Sequence, residues 1–182
     1  MLETIKRKMD SREDAIELLK ADHRELEGLF RMVEAAEDRA KGPIARNICD
    51  ALTIHARIEE KLFYPAIREK IADTQDLIDE AVVEHATLKS LIRQIERMRP
   101  GEELFDARLK VLEEYVQHHV REEEREILPL AEGKLDLVEL GRRMARMKLR
   151  LSRGREEALS PHNRARSTAP RHRPAAGARA SP

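Results

Sequence analysis

The residues best suited to chemistry lie in a segment that occurs twice in the chain. HARIEEKLFYP begins at His55 and HVREEEREILP begins at His119. In each copy a glutamate follows the histidine after four residues, a second glutamate comes next, and a proline stands ten residues after the histidine. Residues four apart on an α-helix lie about 5–6 Å apart on one face. Each histidine can therefore share a metal ion with Glu59 or Glu123, whereas the neighbouring His118 falls outside this register.

A predicted helix with one histidine on its apolar face precedes each copy of the segment. His23 and His85 are both followed by leucines after three and six residues. The whole helix pair therefore occurs twice, at a nearly constant offset that matches His23 with His85 and His55 with His119. Six polar side chains share the apolar stripes of the four predicted helices: His23, His55, Glu59, His85, His119 and Glu123.

These six side chains occupy positions that should face a hydrophobic core. Burying unpaired ionised groups costs several kcal/mol each, a large share of the roughly 5–15 kcal/mol that stabilises a domain. A bound cation cluster removes that cost. The alternative is that each histidine is hydrogen-bonded to a facing glutamate, which suits a single histidine better than a matched set of four.

The donor set narrows the choice of metal. Four imidazoles and two carboxylates favour iron, zinc, manganese or copper over calcium or magnesium, which prefer oxygen ligands. Each carboxylate can bridge two ions, with two histidines on each side. Ferritin-like bundles use Glu-x-x-His motifs with four glutamates and two histidines. The opposite order and the excess of nitrogen here argue against a site of that kind.

Apolar periodicity predicts the elements that carry these residues. Apolar residues recur at three- and four-residue steps over about 12–40, 43–70, 74–98 and 102–132. Gly42-Pro43 is expected to separate the first two helices, because glycine suits a helix end and proline a helix start. Short connections between long helices predict an all-α, up-down-up-down antiparallel four-helix bundle.

Charge divides the chain into an acidic body and a basic C-terminal part. Residues 1–140 hold 23 basic and 33 acidic side chains, whereas residues 141–182 hold 12 and 2. We expect three parts, which are the bundle over 1–134, an additional basic amphipathic helix over 135–155 and a disordered Arg/Pro/Ala-rich tail over 156–182.

The basic part has two interpretations. It can make a weak contact with an anionic surface, either nucleic acid or membrane, although it lacks aromatic residues for base stacking. Alternatively, Met144, Met147 and Leu151 pack the helix onto the acidic bundle. The chain has no apolar run of about 18 residues and so no expected transmembrane segment. Its N-terminus has no apolar signal core, which favours the cytoplasm.

The region from about 12 to 132 resembles the hemerythrin-like family, known for its His-His-Glu cation-binding repeats. An inward histidine on one helix and H-x-x-x-E-E followed by an apolar pair and proline on the next, both repeated, carry the resemblance. The resemblance implies a non-haem di-iron centre with oxo or hydroxo and carboxylate bridges, which binds dioxygen, nitric oxide or peroxide. Zinc and manganese remain alternatives. It implies that Glu59 and Glu123 are bridging carboxylates. It also implies that the four inward histidines are terminal ligands: His23, His55, His85 and His119.

One position departs from the family pattern. Oxygen-carrying members have a fifth histidine one helical turn from the one that matches His85, where this chain has Ala81 and Lys89. The difference favours sensing, nitric oxide or peroxide chemistry over reversible oxygen carriage. Tyr115, one turn before His119, is expected either to approach the centre or to be a core aromatic residue.

Three functions remain open from the sequence. The first is a di-iron binding protein that handles oxygen, nitric oxide, peroxide or iron. The second is an enzyme that decomposes peroxide at an open iron position, and the third is an interaction protein that acts through its basic segment. Glu60 and Glu124, which follow the inward glutamates, are expected to be solvated or to support the ligands from outside.

Overall fold

The computed structural model describes residues 14–159, so most of the expected disordered tail lies outside the described residues. All the secondary structure in this range is helical, which confirms the predicted all-α bundle. Its elements are α1 (Ala15–Glu34), α2 (Asp38–Ile58), a first π turn (Glu59–Phe63), α3 (Tyr64–Lys70), α4 (Gln75–Ile95), α5 (Phe105–Glu122), a second π turn (Glu123–Ile127), α6 (Leu128–Ala131) and α7 (Leu137–Leu159).

The connection between α1 and α2 differs from the sequence prediction. The chain turns at residues 35–37, and Gly42 and Pro43 lie inside α2. Gly42 packs closely against Pro100, because a Cβ at this position would lie 3.3 Å from Pro100 Cγ. Pro43 lies in the second turn of α2, where it removes one backbone hydrogen bond without ending the helix.

Two π turns interrupt the second and fourth rods of the bundle at equivalent points. They begin at the inward glutamates Glu59 and Glu123, and prolines follow them at Pro65 and Pro129. A proline has no N–H and its ring collides with the carbonyl four residues earlier. A wider turn just before the proline relieves that conflict. The repeated sequence therefore explains why both rods widen beside the predicted metal centre.

The core has two apolar clusters, and on three of the four rods the predicted ligands lie between them along the chain. On α1, for example, Leu19 belongs to the first core cluster and Leu26 to the second, with His23 between them. The first core cluster also contains Ile58, and the second contains Leu52. The polar centre is thus enclosed at both ends by hydrophobic side chains, which keep water away from it.

The C-terminal helix α7 packs on α1 and α2 as a fifth rod beside the four rods of the bundle. Leu140 and Met144 are buried in the first core cluster, and Met147 and Leu151 pack against it. On the opposite side, Arg142 and Arg146 are exposed. These contacts agree with the interpretation that the apolar side of α7 packs onto the bundle. No helix among the described residues is long and apolar enough to cross a membrane.

Candidate metal centre

The structure brings all six predicted site residues into the middle of the bundle, where each is buried. Their donor atoms form two adjoining groups in which every atom lies within 4.8 Å of the others. Glu59 belongs to both groups. The first group also contains His23, His55 and Glu123, and the second also contains His85 and His119.

In the first group four side chains converge on a small volume. The Nε2 atoms of His23 and His55 are 3.2 Å apart. His55 Nε2 is 3.0 Å from Oε1 of Glu59, and His23 Nε2 is 3.2 Å from Oε2 of Glu123. Two imidazole nitrogens and two carboxylate oxygens thus face one another across distances of 3.0 to 3.2 Å between neighbouring atoms.

The second group contains another pair of imidazoles, and the other oxygen of Glu59 faces it. The Nε2 atoms of His85 and His119 are 3.0 Å apart, and His85 Nε2 is 3.3 Å from Glu59 Oε2. One oxygen of Glu59 therefore faces each group. This is the geometry that a carboxylate needs to bridge two metal ions.

Unpartnered buried atoms show that these groups fit a cation. Both oxygens of Glu59 and Oε2 of Glu123 lack a hydrogen-bond partner among the described residues, although both side chains are 0% exposed. A buried carboxylate without partners is strongly destabilising. A metal ion with nitrogen and oxygen ligands would satisfy these atoms together.

The outer nitrogens of two histidines are held by the second glutamate of each repeat. His23 Nδ1 lies 2.7 Å from Glu124 Oε1, and His85 Nδ1 lies 3.0 Å from Glu60 Oε1. An Nδ1–H that donates to a carboxylate leaves Nε2 free to bind a metal and fixes the orientation of the ring. Of the two roles expected for Glu60 and Glu124, the geometry agrees with outer support of the predicted ligands.

The other two histidines have acidic partners that the sequence analysis missed. Glu84 Oε2 lies 2.7 Å from Nδ1 of His119, and Asp22 Oδ2 lies 3.6 Å from Nδ1 of His55. The sequence did contain a signal, because an acidic residue directly precedes the inward histidine in both halves. Three of the four imidazoles therefore form a hydrogen bond with a carboxylate behind them, as metal-binding histidines usually do, whereas Asp22 lies behind His55 without a hydrogen bond.

The electrostatics of the metal-free site favour charged pairs. Burial would lower the pKa of His85, but the nearby carboxylates of Glu59 and Glu60 raise it to about 9. Burial would likewise raise the pKa of Glu59, but His55 and His85 hold that pKa well below its usual value. The raised pKa of His85 therefore favours a proton on this imidazole when no metal is bound, and an incoming cation must displace it.

A tyrosine contacts the centre, and it is not the one that the sequence analysis considered. Tyr115 is 48% exposed, so both roles expected for it are wrong, because Val116 takes the inward position on α5. Tyr64 is 1% exposed instead. Its hydroxyl donates to Glu123 Oε1 at 3.2 Å, and its ring stacks on His85 with centroids 5.6 Å apart.

Tyr64 also makes the two halves of the centre different. The residue at its equivalent position in the second copy of the repeat is Leu128, which has no hydroxyl. Glu123 consequently has a hydrogen-bond donor, whereas Glu59 has none among the described residues. Burial raises the pKa of the Tyr64 phenol well above its usual value, so this side chain remains a donor.

Two small cavities reach the predicted ligands. One of about 10 Å³ touches His55, His85 and His119 and is otherwise lined mostly by apolar side chains such as Leu52 and Leu88. The other, of about 40 Å³, lies beside Ala81, His119 and Glu123. Lys89, on the other side of His85, contacts Glu60. Of the two positions that flank His85, Ala81 therefore lines a cavity and Lys89 forms an ion pair.

Comparisons with known proteins agree with this geometry. The crystal structure of a hemerythrin HHE cation binding domain-containing protein from Mycobacterium kansasii is similar, with a TM-score of 0.72 and 26% sequence identity. That similarity covers 84% of this chain and 96% of the other. A DNA nickase from Nostoc sp. (strain PCC 7120) is 32% identical over 115 residues, which are 59% of this chain and 30% of the nickase. The chain thus spans less than a third of the length of that relative.

The family comparison matches the part of the chain that builds the centre. The Hemerythrin HHE cation binding domain matches residues 14–131, from the cap of α1 to the end of α6. This range includes all six predicted site residues. The chain therefore belongs to the hemerythrin HHE cation-binding domain family and is a metal-cation-binding protein.

Proposed function

We propose that this protein is a non-haem di-iron protein that binds dioxygen or a related small molecule, such as nitric oxide or peroxide, in the core of its bundle. One iron ion would lie at the first group of donors and one at the second, with Glu59 and Glu123 as bridges. The observation that carries the proposal is the position of Glu59, whose two oxygens face the two groups at 3.0 and 3.3 Å.

The surroundings of the centre support a small ligand. The cavity of about 10 Å³ against three of the histidines has room for one water-sized molecule. Its other walls are mainly apolar, which suits a neutral diatomic molecule better than a large polar substrate. Bound iron would supply a coordination position and electrons for such a ligand.

The side chains of the chain itself have separate roles in this proposal. Glu60, Glu84 and Glu124 orient three of the imidazoles through hydrogen bonds to their outer nitrogens. The Tyr64 hydroxyl holds a proton, which it donates as a hydrogen bond to Glu123 Oε1. Its ring stacks on His85, so this donor lies beside the second group. The two core clusters exclude bulk water, which strengthens every electrostatic interaction inside the centre.

A second candidate function is peroxide decomposition by the same site. The cavity of about 40 Å³ favours it, because the cavity lies beside Ala81, one of the two positions one helical turn from His85, and gives a ligand room near His119. Turnover of hydrogen peroxide, measured alongside oxygen-dependent optical bands, separates the two functions. Rapid turnover supports an enzyme, and reversible bands without turnover support a binding protein.

The ligand assignment is tested by metal analysis of three alanine variants. We expect His55→Ala and His119→Ala to lose most of the bound metal, since each removes a donor nitrogen from a buried group. His118→Ala is the matched control, because His118 neighbours His119 but its side chain is 54% exposed. Equal metal loss in all three variants would contradict the assignment.

A further inference from the structure

The two halves of the bundle differ on their outer sides. In the second half His118 and Glu122 are partly exposed on α5. Their equivalents in the first half are Ile54 and Ile58, which are buried in the first core cluster that α7 helps to form. The internal repeat thus has one covered, apolar flank and one open, polar flank.

The open flank holds a third group of possible metal donors. Donor atoms of Glu84, His118 and Glu122 lie within 4.8 Å of one another. His118 Nε2 is 3.3 Å from Glu122 Oε1 and 3.7 Å from Glu84 Oε1. The other oxygen of Glu84 holds the imidazole of His119, so one carboxylate touches both this outer group and a predicted ligand.

The cavity of about 40 Å³ is lined by two residues of the outer group, Glu84 and Glu122, and by residues of the buried centre. Its outer part is lined by the carboxylates of Glu80, Glu84, Glu122 and Glu126. His119 and Glu123, both buried, form its inner part, and Oε2 of Glu123 has no hydrogen-bond partner among the described residues. The volume is enough for a water molecule or a small ion.

The covered flank offers a cation no such route. Asp22, the equivalent of Glu84, contacts the ammonium group of Lys148 from α7. A fixed positive charge at this point repels an approaching cation. A cavity on this side of the described residues, next to Asp22, Lys148 and Ser152, is about 10 Å³ in volume.

We propose that Glu84, His118 and Glu122 form an outer uptake site for a hydrated divalent transition-metal ion, through which the buried centre is loaded. This inference rests on the proposed function, because it requires a metal centre to be filled. The mixed nitrogen and oxygen donors match those of the buried groups, so an ion can pass inwards without a change of ligand type. The acidic rim attracts cations from solution and raises the rate at which they arrive.

The test is the rate of metal uptake by the full-length, metal-free chain. Fe²⁺ or Co²⁺ alone is mixed with wild-type, His118→Ala or Glu122→Gln protein in a stopped-flow instrument, and absorbance of the filled centre is followed. We expect uptake to slow by about threefold to tenfold in the variants, which lose a donor or a steering charge. The final metal content should equal that of wild type.

Glu114→Gln is the matched control, since Glu114 is exposed on the same helix and loses the same charge. Uptake by this variant should stay close to the wild-type rate. Variants that load as fast as wild type, or a control that is slowed equally, would overturn the uptake site while the metal centre stands. A wild-type chain that takes up no metal would instead overturn the proposed function.

Discussion

Replacing Lys148 with methionine tests how the C-terminal helix supports the metal centre. The Lys148 ammonium contacts Asp22 Oδ1, and Oδ2 of the same carboxylate faces His55 Nδ1 at 3.6 Å. The Asp22 side chain is only 5% exposed, and that of Lys148 is 14% exposed. Methionine has a similar length and an apolar stem, so Lys148→Met removes the charge and keeps most of the packing.

The magnitude follows from the burial of this pair. Removing one partner of a buried ion pair costs about 3–5 kcal/mol, because the other charge is left without compensation. Lys148 is not fully buried, so we expect a loss of about 3 kcal/mol in the free energy of unfolding of the metal-free protein. Because the Asp22 carboxylate lies 3.6 Å from Nδ1 of His55, an uncompensated charge there should also disturb this predicted ligand, and metal affinity should fall by about tenfold.

The assay is urea unfolding of the metal-free chain together with a metal-binding titration. A double-mutant cycle with Asp22→Asn isolates the pair, and the two changes together should cost less than the sum of each alone. Lys148→Arg keeps the charge and should recover much of both losses. Arg146→Met, an exposed arginine on the same helix, is the control. Equal effects of Lys148→Met and Arg146→Met on stability and on metal affinity would mean that the contact between Lys148 and Asp22 has no special role.

Three further predictions concern single features of the site and core. Tyr64→Phe should lower the stability of the metal-free protein by about 1–3 kcal/mol, measured by urea unfolding, because a buried oxygen of Glu123 loses its hydrogen-bond donor; an unchanged stability would mean that this bond contributes nothing. Metal-free stability should also depend on pH. The contribution of His85 is complete below about pH 6.5 and is lost as pH rises through about 9, whereas that of Glu59 is present above about 4.5 and is lost as pH falls through its lowered pKa. Metal-loaded protein should show the opposite trend between pH 6.5 and 9, since metal ions compete with those protons, and parallel curves for the two forms would argue against the pairing. Finally, Cys49 should resist iodoacetamide at pH 8 in the folded protein and react in urea, because burial raises its pKa to about 12; fast labelling of the native chain would contradict this.

The predicted site residues could be found from sequence because their chemistry repeats. His55 with Glu59 and His119 with Glu123 have the four-residue spacing that places both side chains on one helix face. The nearly constant offset between the two halves then links each pair to an inward histidine on the preceding helix. Such a pattern depends only on spacing within each helix and on the repeat, so it can be recognised from sequence. The structure brings these residues together.

Contacts between distant elements could not be read in the same way. Lys148 and Asp22 are 126 residues apart in the chain, and nothing in the local sequence of α7 selects this lysine from its basic neighbours. Tyr64 directly follows the first π turn, is buried beside Phe63 and reaches Glu123, which is 59 residues away in the chain. The role of Gly42 was misread because a glycine beside a proline usually marks a helix break, whereas here it allows the close approach of Pro100.

The central claim is that six converging side chains form a place for two metal ions. Its most direct test is metal analysis of the chain purified from its own host, with an optical spectrum recorded in air. We predict about two iron ions per chain and absorption bands of an oxygen-bridged iron pair. A correctly folded native sample that contains no transition metal would contradict it.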